Sequence, residues 1–325
     1  MKNLFRIKKL ALIAIVAILS ISCNDDDNPT QVAVDNTITG KAIATPSLST
    51  LVQALTKAKL AGTLQGEGPF TVFAPTNAAF EKYLDDNDIA SLDAIPTDKL
   101  KQILLNHVVS GKILSTQLET GYVKTLATYG TTTSNISMYI NTASGAKLFN
   151  GVANVVTPNV EASNGVVHIV DAVIDVPTIV THAVANASTF STLVSVVTNP
   201  AQSDILTALS SPGALTVFAP TNGGFGKLDT DLKNLGITAG IGGVSQATIT
   251  DVLKYHVVSG NNLAASLTNG NLTTLLGQTF EVQLTGGAKI KDNNNRISNI
   301  IVTDVQCSNG VIHAIDNALL QTLPN

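Results

Sequence analysis

Between residues 48 and 60 the apolar side chains Leu48, Leu51, Val52, Leu55 and Leu60 recur at steps that keep them on one helical face. The segment from about Asp35 to Leu64 therefore reads as largely helical. Gly66-Glu67-Gly68-Pro69 is a turn, and the apolar run Thr71-Val72-Phe73-Ala74 after it predicts a short buried strand. Pro75 ends that strand because it has no N–H to give a ladder. Thr76 or Asn77 is placed to cap a helix beginning at Ala78, which carries Phe80, Tyr83 and Leu84 inward and ends near Asp85–Asp88. Leu100, Ile103, Leu104 and His107 stand at i, i+3, i+4 and i+7, so His107 falls on the buried face of an amphipathic helix. From Ser115 to Val160 the chain is rich in Thr and β-branched residues, the composition of strands, with Asn150-Gly151 as a hairpin turn. Gly165 to Val173 is apolar at odd and even positions alike, as in a strand covered on both faces.

The pattern is then written a second time. Thr71-Val72-Phe73-Ala74-Pro75-Thr76-Asn77 returns letter for letter as Thr216-Val217-Phe218-Ala219-Pro220-Thr221-Asn222, and each copy is followed by a phenylalanine, Phe80 and Phe225. His107-Val108-Val109-Ser110-Gly111 matches His256–Gly260, and Asn164-Gly165-Val166-Val167-His168 is echoed by Asn309–His313, with Asp171 and Asp316 three residues on. Three motifs repeated in the same order imply one domain in two tandem copies, 35–176 and 177–325. Ile249, Val252, Leu253 and His256 repeat the amphipathic helix. Gly223, Gly224 and Gly226 stand in the second motif helix, each costing about 1 kcal/mol relative to Ala, which predicts a shorter or more mobile helix there. Residues 236–243 read as a loose, glycine-rich loop beside it.

Ahead of the repeats, Lys2, Arg6, Lys8 and Lys9 precede twelve apolar or small residues, Leu10 to Ile21. That stretch is too short to span a bilayer and reads as a secretory leader over residues 1–22. Ser22-Cys23 at its end resembles a lipoprotein cleavage site, with Cys23 the acylated residue, and residues 23–34 form an acidic flexible tether. Asp25, Asp26 and Asp27 resemble the signal that sends lipoproteins of Bacteroidetes-type bacteria to the outer face of the outer membrane. Removing residues 1–22 leaves 15 basic against 23 acidic residues, a net −8. A mildly acidic chain offers no basic patch for nucleic acid. There is no Trp, which argues against carbohydrate-stacking platforms built on that residue.

The motif set TVFAPTN-x-x-F, HVVSG and NGV-(V/I)-H-x-(V/I)-D, in order and twice, resembles the fasciclin domain family. The resemblance covers nearly all of the chain after the first thirty-odd residues. It implies an α+β fold: two tandem domains, each a β-sandwich-like mixed sheet core flanked by α-helices. It also implies an extracellular adhesion or interaction module whose partners are a protein or glycan, or copies of itself. Thr71, Pro75, Asn77, Phe80, Thr216, Pro220, Asn222 and Phe225, with His168, Asp171, His313 and Asp316, are expected to be structural. Tyr255-His256 matches a pair associated with integrin recognition in some animal members, whereas the first copy has Asn106-His107; these mark a partner-binding expectation for Tyr255, His256 and His107.

Catalysis finds little support. His168 and Asp171 at odd spacing on one strand point to opposite faces. There is no Gly-rich phosphate loop, Cys-x-x-Cys or Gly-x-Ser-x-Gly elbow. Asp85–Asp88 lacks the glycine and distal glutamate of a calcium loop, and Cys307 occupies the slot of Ala162, a small buried position. No catalytic residue, cofactor or metal is expected. The functional expectation is a lipid-anchored surface adhesin, with ligand or polymer capture for nutrient uptake and a self-associating envelope or biofilm role as alternatives.

Overall fold

The computed structural model describes residues 35–143, 145–234 and 236–321; Cys23, Asp25, Asp26 and Asp27, with the rest of the proposed leader and tether, lie outside them. The first copy opens with three helices, α1 (Ile38–Ile43), α2 (Ser49–Lys57) and α3 (Ala61–Gln65), and enters β1 (Phe70–Pro75). Helix α4 (Asn77–Asp86) follows the proline, then α5 (Thr97–Asn106), β2 (Val108–Ser110), β3 (Gly121–Thr128), β4 (Asn135–Asn141), β5 (Leu148–Phe149), β6 (Ala153–Ala162) and β7 (Gly165–Val170). These strands pair in sequence order, and β7 closes on β1 to make a barrel.

The closing pair is parallel, in register from Phe70 opposite Gly165 to Pro75 opposite Val170. Both strands are buried almost throughout, which is why each reads as a continuous apolar run. Gly165 makes the closure possible. Its φ is +156°, and a Cβ there would sit 2.0 Å from the Phe70 carbonyl oxygen.

The second copy repeats the plan with α6 (Ile179–Ala185), α7 (Ala187–Val197), α8 (Ser203–Ser210), β8 (Leu215–Pro220), α9 (Asn222–Asn234) and α10 (Gln246–Tyr255). Its strands are β9 (Val257–Ser259), β10 (Gly270–Thr273), β11 (Thr279–Gln283), β12 (Lys289–Lys291), β13 (Ile297–Cys307) and β14 (Gly310–Ile315). The order β10-β11-β12-β13-β14-β8-β9 is the same circle opened at one place, where a single bridge, Val258 to Thr274, spans the gap. The sandwich-like core expected from the sequence is thus a rolled sheet, closed in one copy and nearly closed in the other.

Each copy has an apolar layer between helices and sheet, built in the first on Leu51, Leu55, Phe80, Leu100 and Leu104, and a second inside the rolled sheet around Phe73, Met138 and Phe149. Phe218, Tyr255 and Phe280 fill the sheet interior of the second copy. The two copies touch directly. Lys124 donates to the Asp304 carbonyl at 2.6 Å and to Ser137 Oγ at 3.0 Å, and Ser137 Oγ accepts the Gln306 N–H at 3.0 Å. The Tyr122 ring packs against His182 edge-on at 5.4 Å.

The expectation of a shorter second motif helix fails. Helix α9, with its three glycines, has 13 residues against 10 for α4. Tertiary packing overrides propensity here: Gly224 lies under the chain at Asn317, where a Cβ would come within 3.2 Å of backbone. The glycine admits a close neighbour and does not end the helix.

Candidate interaction surface

The repeated motifs are hydrogen-bonding devices that hold helices to sheet. Thr76 and Thr221 cap α4 and α9, accepting the N–H of Ala79 and Gly224 at 3.2 Å. Asn77, the other capping candidate, instead reaches backwards. Its Oδ1 accepts the Thr50 N–H at 2.9 Å and its Nδ2 donates to the Pro46 carbonyl; Asn222 does the same with Thr192 and Ser188. Thr71 Oγ1 donates to the Gly111 carbonyl at 2.7 Å and accepts the Ile113 N–H, and Thr216 repeats this with Gly260 and Asn262. Pro75 and Pro220 end their strands where the next N–H, of Thr76 and Thr221, turns to the Val170 and Ile315 carbonyls. Phe80 and Phe225 are buried.

The asparagines that open the last motif were not singled out by sequence reasoning, yet they hold each copy's first helix. Asn164 Oδ1 accepts the Ile38 N–H at 2.9 Å while Nδ2 donates to the Leu64 and Gly66 carbonyls. Asn309 does so with Ile179, Leu209 and Ser211. Their exact repetition 145 residues apart was the available signal.

Four repeated histidines divide into two pairs. His107 Nδ1–H donates to the Ile103 carbonyl at 2.8 Å, leaving Nε2 to accept the Ile174 N–H at 2.9 Å. His256 makes the same clamp from the Val252 carbonyl to the Leu319 N–H. Burial holds both imidazoles down to about 4, so both are neutral acceptors at pH 7. His168 and His313 hold a different place. Nε2 donates to the Ile113 and Asn262 carbonyls at 2.9 Å, and Nδ1 accepts from Asn159 at 3.2 Å and from Asp304 at 3.4 Å. Asn159 and Asp304 both stand at φ +58°, in the bulges of β6 and β13. Asp171 and Asp316 turn the other way, accepting the N–H of Asn154 and Asn299 at 2.6 and 2.7 Å.

Tyr255, His256 and His107 are between 0 and 3 % exposed, and the Tyr255 hydroxyl donates to the Thr279 carbonyl. A partner meeting the surface of this fold does not touch them. The partner-binding expectation for these three is corrected: the same apolar spacing that matched a recognition pair is what buries it. Cys307 is fully buried, and burial pushes its thiol up. Among the described residues no three His, Cys, Asp or Glu side chains are grouped to hold a metal ion.

Exposed large apolar side chains stand in several places, Ile43 on α1 and Val184 on α6 among them, and on the outer surface of the bulged strands. A bulge breaks the alternation of a strand and re-aims its side chains. Val152, in the turn before β6, and Val156, at the β6 bulge, are each 53 % exposed; Ile297 and Ile301 on β13 are 42 and 53 % exposed. The two pairs correspond at the 145-residue shift of the repeat.

A fasciclin domain model matches residues 46–177 and again 186–321. The chain belongs to the fasciclin family. It is similar to human periostin, 29% identical over 264 residues, and to pig transforming growth factor-beta-induced protein ig-h3, 32% identical, each match covering 81% of this chain. It spans only 29% and 36% of those two proteins. The Synechocystis protein sll1483 is 41% identical over 148 residues, covering 44% of this chain and 77% of its own length. The fold matches a FAS1 domain pair from the insect cell adhesion molecule fasciclin I with a TM-score of 0.52 at 19% identity, over 85% of this chain and 97% of that one. The fasciclin assignment thus covers both copies as a pair. The family is linked to adhesion and extracellular interaction. No described helix is long and apolar enough to cross a membrane.

Proposed function

We propose that this fasciclin pair is a cell-surface adhesion module, held outside the cell by a lipid on Cys23 and meeting an extracellular protein through its bulged outer strands. The observation that carries this reading is the pair of exposed apolar positions at the same places in both copies, Val152 and Val156, Ile297 and Ile301. Single exposed apolar side chains are ordinary; a pair repeated in two copies is a patterned surface. The insect protein that shares the fold is an adhesion molecule by its description, which supports the same role here. The basic leader, the Ser22-Cys23 step and Asp25, Asp26 and Asp27 support anchorage at the outer face of the outer membrane. A protein partner is favoured over a glycan because the five tyrosines are buried or half-buried and the chain has no Trp.

The test applies soluble chain, residues 24–325, to arrays of matrix proteins and glycans beside a Val156→Asp/Ile301→Asp variant shown to fold. Saturable binding to one protein class, lost in the variant, supports the reading. Binding only to glycans, or self-association in place of binding, returns the ligand-capture or envelope-structural alternative.

A further inference from the structure

The second copy contains a cleft of about 250 Å³ beneath the glycine-rich turn 236–243. Phe225, Leu228 and Leu232 of α9, Ile241 of the turn, and Val252 of α10 supply its walls; among the described residues no charged side chain lines it. Its hydroxyls, Ser245 and Thr248, sit together at the start of α10, 2.9 Å apart. Ile241, Val244, Thr248 and Ile249 are half-exposed, so the space is open at its rim, with apolar walls and a few polar groups, the make-up of a small-molecule site.

The first copy is built differently at the same place, with Tyr83 and Asp175 on the edge of a cleft that Lys82 and Asp86 also line. Tyr83 stands where the second copy has Leu228, only 8 % exposed, and its hydroxyl donates to Asp175 at 2.9 Å. The following turn is tied down by Lys57, whose Nζ donates to the carbonyls of Leu92, Asp93 and Ile95. In the second copy the Ser-Thr-Leu-Val alignment of α2 with α7 puts Asn199 where Lys57 stands, and Asn199 caps its own turn through Ala201. The ring is gone, the lysine tie is gone, and the turn gains Gly236, Gly240, Gly242 and Gly243. It is held instead by Asp229, whose carboxylate accepts the Ile241 N–H at 2.9 Å.

We propose that this cleft of the second copy is a binding site for a compact, uncharged aliphatic molecule bearing at most a hydroxyl, with the glycine-rich turn as its cover. The volume lies just below the usual range for drug-sized ligands, which sets the ligand at on the order of ten carbon atoms. The walls exclude a carboxylate or phosphate, because nothing in them pairs a charge. The Ser245 and Thr248 hydroxyls at the rim are the polar contacts such a ligand meets.

The probe is 1-octanol, titrated into the purified chain with labelled methyl groups, and D-glucose is the control. Expected are saturable shifts of the Leu228, Ile241 and Val252 methyls with a dissociation constant of roughly 0.1–1 mM, in keeping with the affinity per atom of small ligands. Contacts from octanol protons to the Ile241 methyls place the ligand in the unsubstituted protein. Leu228→Phe, which refills the space, is expected to weaken binding at least about tenfold with no loss of thermal stability. Octanol shifts absent from these methyls, equal binding by a folded Leu228→Phe chain, or equal shifts with glucose each overturn the assignment. Should Leu228→Phe fail to fold, the methyl contacts in the unsubstituted chain decide.

Discussion

Lowering the pH from 7.5 to 5 is expected to destabilise this protein through the histidine clamps before its carboxylates begin to titrate. In the native state His107 and His256 are neutral, donate through Nδ1 and accept a backbone N–H through Nε2. Protonation puts a hydrogen on Nε2, breaks the bond from Ile174 or Leu319 and places an unpaired charge in the core. Burial lowers both groups from 6.5 to about 4. The unfolded chain therefore binds protons first, and stability falls as pH falls through this window. The contribution is fully present above pH 6.5, declines to about pH 4, and is flat below. At about 1.4 kcal/mol per unit the whole effect is roughly 3 kcal/mol per clamp, of which roughly 2 kcal/mol is lost by pH 5. With a urea slope of about 2 kcal/mol per molar for a domain of this size, the midpoint falls by about 1 M. His256→Gln, which cannot take up a proton, is expected to be less stable at pH 7.5 and to lose part of the pH dependence of the second copy's transition, while His182 and His313, also held down by burial, keep the rest. An unsubstituted chain with the same midpoint at both pH values, or a His256→Gln chain with an undiminished pH dependence, refutes this reasoning.

Other substitutions test the remaining devices. Asn309→Ala leaves the Ile179 N–H and the Leu209 and Ser211 carbonyls without their partner, and is expected to cost about 2–4 kcal/mol in chemical denaturation. Gly310→Ala drives a Cβ to within 2.0 Å of the Leu215 carbonyl oxygen and is expected to abolish folding of the second copy by circular dichroism, whereas Gly213→Ala, with open space around it, is expected to be near neutral. Arg296→Met removes the partner of fully buried Asp292 and the bonds to Asp231, Asn317 and the Ala318 carbonyl; a loss of about 3–5 kcal/mol is expected by urea titration.

Much of this fold was legible in the sequence because it rests on local period and exact repetition. The spacing of Leu100, Ile103, Leu104 and His107 gave α5 and the burial of His107, and Asn150-Gly151, at φ +47° and +75°, turns the β5–β6 hairpin. Parallel pairing of β1 with β7 was not legible, since nothing local links Phe70 to Gly165 across the chain. The bulges at Asn159 and Asp304 were hidden for a related reason: they depend on histidines nine residues away on the neighbouring strand. Glycine propensity misled at α9 because the close approach of Asn317 is a tertiary fact. For the site, the sequence located variation between the copies at residues 223–243 but not the cleft beneath it, which depends on Tyr83 being replaced by Leu228. The motif His-Val-Val-Ser-Gly with Tyr255 before it suggested recognition, and burial assigns those residues to packing instead.

Attachment of cells that carry this protein at their surface tests the adhesion reading most directly. Cells producing the intact chain, cells lacking it, and cells producing a folded Val156→Asp/Ile301→Asp chain at equal surface abundance are compared for retention under flow on a protein-coated surface and on one another. Retention that falls on deletion, returns with the intact chain and does not return with the double variant is the predicted result. Retention that is unchanged by deletion, or fully restored by the double variant, contradicts an adhesion module acting through its bulged outer strands.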